Sequence, residues 1–516
     1  MAEVVRILVR PEFPSPRPLR LLAEAFALPV TGAVDGVELT GIAIASGDVR
    51  PGDLFAALPG GRRHGAAFAQ AAREAGAVAI LTDEAGREQA LAAGVPVLVA
   101  ESPRTILGAV SAWIYRTESD LPTLFGVTGT NGKTTTSYFL DWLLRRLGLV
   151  TGMSTTVERR VADLVFRSRL TTPEAPELHG LLARMREAQV RAVSIEVSAQ
   201  ALERGRVDAV VFDVAAFTNL SHDHLDDYGT MDRYFQEKAV LFTPERAKRG
   251  VISLESEWGF RLLEQATIPV TTLALATNPR ADEADWVVDV LESGHASTRF
   301  RLSGPDGRSL ETTIATIGTH MAEDAGLALV MMTEAGFDLD VIAQALGEEG
   351  IGAAIPGRLE RVSGPEGPQV FVDFGHSADA FLKILTAVRS VTPGRLAIVF
   401  GVDGDRDPSK RGEMARVAAA NSDLVVITDH HPRFEDPASI RATLIAAVEE
   451  AFPEKELHEV VPPQQAIRHT VGLLGPGDSI VWAGPGHQDY REIEGVLTPY
   501  SARDEARAAL REAGWS

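Results

Sequence analysis

Short, unbroken apolar runs recur along the chain, separated by stretches with helical spacing. Residues 77–81, 95–99, 121–125, 192–195, 209–212, 370–372, 396–400, 424–427 and 479–482 read as strands. Runs apolar at every position suit parallel strands covered on both faces, whereas a half-exposed strand would alternate. Residues 137–147 carry apolar side chains at helical spacing, directly after the strand at 121–125. Only residues 284–317 alternate apolar with polar, which predicts an antiparallel appendage. The pattern predicts an α/β protein with mostly parallel sheets. Pro122 and Pro356 mark boundaries, giving three domains at 1–121, 122–355 and 356–516.

Composition narrows this picture without redirecting it. At 516 residues, 45% apolar and 23% charged, the chain matches an ordinary globular protein with more than one core. No apolar stretch is long enough for a bilayer span, so no membrane partner is expected. The absence of cysteine excludes disulfides, Cys-ligated zinc and thiol catalysis, and fits a cytoplasmic protein. A net charge of −21 argues against nucleic acid as a partner.

Between the strand at 121–125 and the helix at 137–147 lies Gly126-Val-Thr-Gly-Thr-Asn-Gly-Lys-Thr-Thr-Thr136. A Gly-rich turn there aims backbone N–H groups at phosphate oxygens, and the helix N-terminus adds a favourable dipole. Lys133 supplies positive charge for the outer phosphates, and the Thr134 hydroxyl is a ligand suited to Mg²⁺. A nucleoside triphosphate is the first expected ligand. Its glycines fall at 126, 129 and 132, off the strict phosphate-loop spacing.

Other chemistry also collects just past predicted strands, where open α/β sheets bind ligands. Glu196-Val-Ser198 and Asn219-Leu-Ser-His222-Asp223-His224-Leu-Asp226 offer hard oxygen and imidazole ligands for Mg²⁺. Gly357-Arg358 and Asp373-Phe-Gly-His376 stand near the second boundary. Three more strands end in Gly401-Val-Asp403-Gly404-Asp405-Arg406-Asp407, Asp429-His-His-Pro432-Arg433 and Gly484-Pro-Gly486-His487, which suggests one small-molecule face on the last domain.

Taken together, these motifs resemble the Mur ligases, the ATP-dependent amide-forming enzymes of peptidoglycan precursor synthesis, and most of all their tripeptide-synthetase branch. The resemblance spans nearly the whole chain. It rests on residues 52–60 (GDLFAALPG), Thr128-Gly-Thr-Asn-Gly-Lys-Thr-Thr135, Thr171-Thr-Pro-Glu174, Glu196-Val-Ser198 and Phe217-Thr-Asn-Leu220 with Asp223-His-Leu-Asp226. Tyr234-Phe-x-x-Lys-Ala-x-Leu-Phe242, Gly404-Asp-Arg-Asp407 with Lys410-Arg411, and Pro432-Arg433 continue it.

The resemblance implies a uridylate-binding first domain, a central ATP-binding domain and a Rossmann-like third domain for the amino acid. It implies that a substrate carboxylate attacks ATP to give an acyl phosphate, which the incoming amine then displaces. Gly129, Thr130, Asn131, Gly132, Lys133, Thr134, Thr135 and His376 would hold ATP. Thr134, Glu196, His224 and Lys238 would serve Mg²⁺, with Lys238 matching a lysine that is carbamylated in the family. By spacing alone Lys238 reads as a solvated helix residue. Arg358 and Asp373 would act on the acyl-phosphate side.

Ser46, Thr171, Thr172, Ser198, Arg204 and Arg206 would contact the uridylated sugar-peptide. Arg411, His431, Arg433, Gly484 and Gln488 would form the amino-acid pocket. The partners implied are UDP-N-acetylmuramoyl dipeptide and a free amino acid, and a monomer is expected. A related ligase with another acceptor, such as a folate glutamyl ligase, fits less well because that group lacks the first domain. A silent nucleotide-binding homologue fits less well because Lys133, Glu196, His224 and Lys238 are all present.

Departures from the family pattern occur in the first domain, where Asp-Ser-Arg reads Ala45-Ser46-Gly47, after Glu196, where Ser-Ser-His reads Ser198-Ala199-Gln200, at Asp-Tyr-Ala-His, which reads Asp373-Phe-Gly-His376, and on the base and amino-acid sides. The adenine-side Asn pair reads Met321 and Asp324. The Asp-Asn-Pro-Arg of diaminopimelate-adding members reads His430-His431-Pro432-Arg433, and the final Glu of its Gly-Lys-Gly-His-Glu loop reads Gln488. Arg433 favours a distal carboxylate on the amino acid, through bidentate pairing. Loss of the Glu at 488 removes a charge that would hold a distal ammonium. These two readings pull apart for meso-diaminopimelate, which has both groups, and the added residue stays open among meso-diaminopimelate, lysine, ornithine, diaminobutyrate and others.

Overall fold

The computed structural model of the chain describes residues 8–61 and 63–515. It resolves into two compact units. The first comprises Met1–Thr128, Gly148–Ala215 and Glu237–Arg249, and the second Gly129–Leu147, Ala216–Gln236 and Gly250–Ser516.

In the first unit, strands Val97–Val99, Ala79–Thr82, Asp53–Ala56 and Gly41–Ala43 run parallel in that order, with Val30–Thr31 antiparallel at the edge. Successive side chains alternate between two cores. Leu54, Ala56 and Leu81 pack with Leu107, Val110 and Trp113, while Phe55 and Ile80 pack with Ala66, Ala69 and Ala72. Both faces are covered, which is why the stretches at 77–81 and 95–99 read as apolar runs. The same unit aligns Thr151–Ser154, Ala192–Glu196 and Thr123–Thr128 in parallel and adds the hairpin Glu158–Val161/Leu164–Arg167. The strand expected at 209–212 starts later, as Phe212–Phe217. Ala209 has φ +63, left-handed, so the chain turns there and cannot yet extend.

In the second unit, residues 250–253 pair with Val270–Leu275, which pairs with Trp286–Ser293, both in parallel. Thr298–Ser303 and Ser309–Ile314 then add antiparallel, the appendage that the alternation at 284–317 predicts. The last sheet is ordered Glu360–Arg361, Gln369–Asp373, Ser479–Ala483, Leu396–Phe400, Leu424–Ile427, Glu456–Glu459, parallel except for its first strand. Three neighbouring strands therefore end on one edge, in the loops at 401–407, 428–433 and 484–488.

Trp482 is 2% exposed and anchors the core of this last sheet with Val372, Val399, Ile480, Ala506 and Leu510. Trp482→Ala should cost about 3–5 kcal/mol through lost contacts and a cavity. A clear drop in Tm is expected, and an unchanged Tm would show that the indole does not hold this core.

Candidate active site

The phosphate loop is built on two glycines that no other residue replaces. Gly129 has φ +148, and a Cβ there would stand 1.9 Å from Oγ1 of Thr218; Gly132 has φ +87, and a Cβ there would stand 2.5 Å from Oδ1 of Asp324. The helix Lys133–Arg146 starts at once, so backbone N–H groups and the helix dipole face one point. Lys133 Nζ donates to the carbonyls of Gly129 (2.9 Å) and Thr130 (2.8 Å). Its charge is thus fixed at the turn.

A second segment, 218–221, clasps the loop. Thr130 N–H donates to Asn219 O at 2.9 Å and Asn131 N–H to Asn219 Oδ1 at 3.0 Å. Thr218 Oγ1 donates to Asn131 O at 2.5 Å, and Ser221 N–H to Thr130 Oγ1 at 3.1 Å. The Asn131 amide reaches on to Asp379 Oδ2 at 3.0 Å, and Lys383 pairs with Asp379 at 3.3 Å. Asp379 and Lys383 sit one turn apart on the helix Ala378–Arg389, a spacing visible in sequence but not weighted there.

The same segment continues to Asp223, which gathers one lysine and two histidines. Lys410 Nζ lies 2.8 Å from one oxygen, and His376 Nε2 and His224 Nε2 lie 3.4 and 3.7 Å from the other. Burial opposes ionisation, but the His376 hydrogen bond and the charges of His376, His224 and Lys410 hold this carboxyl well below the usual range. His224 has φ +55, left-handed for a non-glycine, and its imidazole groups with the Asp226 and Asp227 carboxylates, all three ligand atoms within 4.8 Å of one another.

Arg358 donates to Thr134 Oγ1 at 3.0 Å and lies over the Phe374 ring. Asp373 accepts from the backbone N–H of Leu359 (2.6 Å) and Gly375 (2.5 Å), and burial raises its pKa although Arg358 opposes this. Thr134, Arg358, Asp373, His376 and His224 thus belong to one connected polar region with the loop.

In the first unit, both oxygens of the fully buried Glu196 are held by Thr156, through its backbone N–H (3.0 Å) and hydroxyl (2.8 Å). Thr156 reaches Thr171 at 3.0 Å, and Thr172 donates to Glu196 O at 2.7 Å and accepts from Ser198 N–H at 3.0 Å. Arg206 is buried on Glu174 at 2.9 Å, whereas Arg204 is exposed at the helix end. Ser46 opens a short 3-10 helix after Gly41–Ala43. Lys238 is 1% exposed, not solvated as its spacing suggests. Tyr234 and Phe235 lie four and three positions before it in the helix Met231–Ala239, so Lys238 falls on the buried face.

On the last sheet, Arg411 forms a two-pronged pair with Glu435, 2.7 Å each. His431 Nδ1 accepts from Glu492 N–H at 2.9 Å, so Nε2 carries the proton and donates to Gln488 Oε1 at 2.9 Å. Gly484 has φ +110 and lies against the His430 ring. Arg433 is paired with Asp403 at 3.1 Å and with Glu492 at 3.4 Å. Neither carboxylate stands out in sequence: Asp403 sits inside an acidic loop, and Glu492 is 59 residues beyond Arg433 in a separate hairpin.

Family models match the chain in three consecutive parts: Mur ligase family, catalytic domain (residues 38–115), Mur ligase middle domain (127–332), and Mur ligase, glutamate ligase domain (357–486). The chain is 57% identical to a UDP-N-acetylmuramyl-tripeptide synthetase of Leifsonia xyli subsp. xyli, covering 98% of both chains. It is 42% identical to a UDP-N-acetylmuramoyl-L-alanyl-D-glutamate--2,6-diaminopimelate ligase of Streptomyces coelicolor, over 96% of this chain and 98% of that one. A solved diaminopimelate ligase of the same description superposes with a TM-score of 0.65 at 26% identity, covering 98% of this chain and all of the other. No helix among the described residues is long and apolar enough to cross a membrane.

Gly129→Ala should displace the loop from Thr218 and lower turnover on the order of a hundredfold; wild-type kinetics would remove the steric argument. A second outcome concerns Glu323, whose burial raises its pKa from 4.5 to about 7. Between those values the folded state holds a proton that the unfolded chain has released, so stability falls as pH rises through that window and levels off above it. Glu323→Gln should flatten that part of the wild-type stability profile, measured by denaturant unfolding at several pH values; parallel profiles would count against it.

Proposed function

The chain belongs to the Mur ligase family, and we propose that it joins the third amino acid to UDP-N-acetylmuramoyl-L-alanyl-D-glutamate with cleavage of ATP to ADP and phosphate. The full-length likeness to a tripeptide synthetase carries this reading. The product is a precursor of peptidoglycan, the enzyme works in the cytoplasm, and it acts as a monomer.

The chemistry follows from the poor reactivity of a carboxylate toward an amine. One oxygen of the substrate carboxylate attacks the γ-phosphorus, ADP leaves, and an acyl phosphate results. The amine then adds to the carbonyl carbon, inorganic phosphate departs with the C–O bond electrons, and the amine loses a proton. Both steps bring anions together, so fixed positive charge is the main requirement. Lys133 and the backbone N–H groups at the helix start, residues 132–135, cradle the phosphates, and Arg358, whose guanidinium already reaches Thr134, neutralises the oxygens of the transferred group. Asp373 and His376 orient that side.

The donor set suits Mg²⁺: hydroxyl and carboxylate oxygens with one imidazole. By the family resemblance, Thr134, Glu196, His224 and Lys238 are the residues that would serve it, and it would spread the triphosphate charge. Lys238 as a carbamate would offer carboxylate-type oxygens, the hard ligands that Mg²⁺ takes. Thr171, Thr172, Ser198, Arg204, Arg206 and Ser46 would hold the uridylated acceptor. Arg411, His431, Gly484 and Gln488 would hold the amino acid.

Incubating the purified protein with the dipeptide substrate, ATP, Mg²⁺ and a panel of amino acids should release phosphate in step with a new UDP-linked product. No release with any amino acid would sink the assignment. Lys133→Ala should lower the rate on the order of a hundredfold or more, and unchanged turnover would refute the role given to the loop.

A further inference from the structure

The amino-acid side of the last sheet holds more negative charge than the sequence motif suggests. Arg433 is the residue expected to meet a distal carboxylate, yet its guanidinium lies between Asp403 and Glu492. Those three groups leave one net negative charge. Three other arginines of these loops and their neighbouring elements are also engaged: Arg411 on Glu435, Arg441 on Asp429 and Glu459, and Arg491 on the His430 carbonyl and Asp429, while Arg406 is exposed to solvent. His430 lies 3.5 Å from Asp403 and is held neutral, because burial and the neighbouring His431 push its pKa down to about 3. Burial opposes ionisation of Asp403, and the Arg433 guanidinium 3.1 Å away favours it. The Asp403 and Glu492 side chains are 31% and 33% exposed, so a ligand entering from solvent reaches them.

The arrangement is also fixed in place. Arg433 adopts φ +52, and its backbone is fastened to the hairpin that carries Glu492: Arg433 N–H donates to Glu492 O at 3.2 Å, and Glu494 N–H to Arg433 O at 2.8 Å. A Cβ on Gly404 would stand 2.0 Å from Pro432 O, so the Asp403 loop packs directly on the Arg433 loop. The trio Asp403, His430 and His431 lies within metal-ligand range, but both nitrogens of His431 are already hydrogen-bonded, which disfavours a metal there.

Resting on the function proposed above, we infer that this pocket selects a diamino acid whose far end is an ammonium without a carboxylate, and that Asp403 with Glu492 is the specificity determinant. A distal carboxylate would have to displace Asp403 or Glu492 from Arg433 and would leave the displaced anion beside it. A distal ammonium meets the surplus negative charge directly. The charge missing at Gln488 is thus supplied by two residues from other loops, and Arg433 serves to hold them.

The test compares L-lysine, L-ornithine and L-2,4-diaminobutyrate with meso-diaminopimelate as substrates of the full-length enzyme. At least one of the first three should exceed meso-diaminopimelate in kcat/KM on the order of a hundredfold. Asp403→Asn should raise KM for the preferred amino acid on the order of tenfold or more, leave KM for ATP unchanged, and improve the relative use of meso-diaminopimelate by releasing Arg433. Glu492→Gln should act in the same direction, which guards against a folding defect in the first variant. Preference for meso-diaminopimelate, or an unchanged amino-acid KM in both variants, would overturn this inference and leave the ligase reading intact. Phosphate release with none of the amino acids would overturn both.

Discussion

A single carboxylate, Asp223, ties together three segments that are remote in sequence. Its oxygens meet Lys410 from one loop of the last sheet, His376 from another and His224 from its own turn. The same stretch of chain, four residues earlier, clasps the phosphate loop through Asn219. Buried ion pairs of this kind add little net stability over an apolar substitute, but breaking one leaves an unpaired buried charge. The value of Asp223 is therefore positional. It sets where Lys410 and the two imidazoles stand, and it does so in a protein whose net charge of −21 would otherwise repel an anionic nucleotide.

The parallel sheets explain why such clusters form. Each strand of a parallel sheet delivers its following loop to the same edge, so residues far apart in sequence converge without long connections. In the last sheet, Ser479–Ala483 lies between Gln369–Asp373 and Leu396–Phe400. That order brings the loops carrying Asp373, Asp403 and Gly484 side by side, and Leu424–Ile427 adds His430 and Arg433 next to them.

Much of this was legible in the chain. Strands Leu396–Phe400 and Leu424–Ile427 match their apolar runs residue for residue, because both faces are covered and no register ambiguity arises. The phosphate loop was legible because its glycines answer a steric demand that other residues cannot meet. Lys238 was not, since a lysine on a helix is ordinarily solvated and only the packing of its face reveals burial. Nor were the partners of Arg433. Its motif reads as a free guanidinium, and the carboxylates that occupy it come from a loop 30 residues before and a hairpin 59 residues after.

Left-handed backbone occurs elsewhere too, at Ala27, Arg116 and Ala162 among others, but three cases fall in these loops. His224, Asp405 and Arg433 are non-glycine residues in the left-handed region, at roughly 1–2 kcal/mol each, and all three lie in loops that carry candidate chemistry. Each is held there by nearby hydrogen bonds. Asp223 accepts from His224 N–H, Glu435 accepts from Asp405 N–H, and the Glu492 hairpin brackets Arg433. Strain of this size persists only where the surroundings over-determine it. The three residues therefore stand on scaffolding that fixes the direction of their side chains, and a loop free to relax would lose the left-handed turn before it lost any side-chain contact.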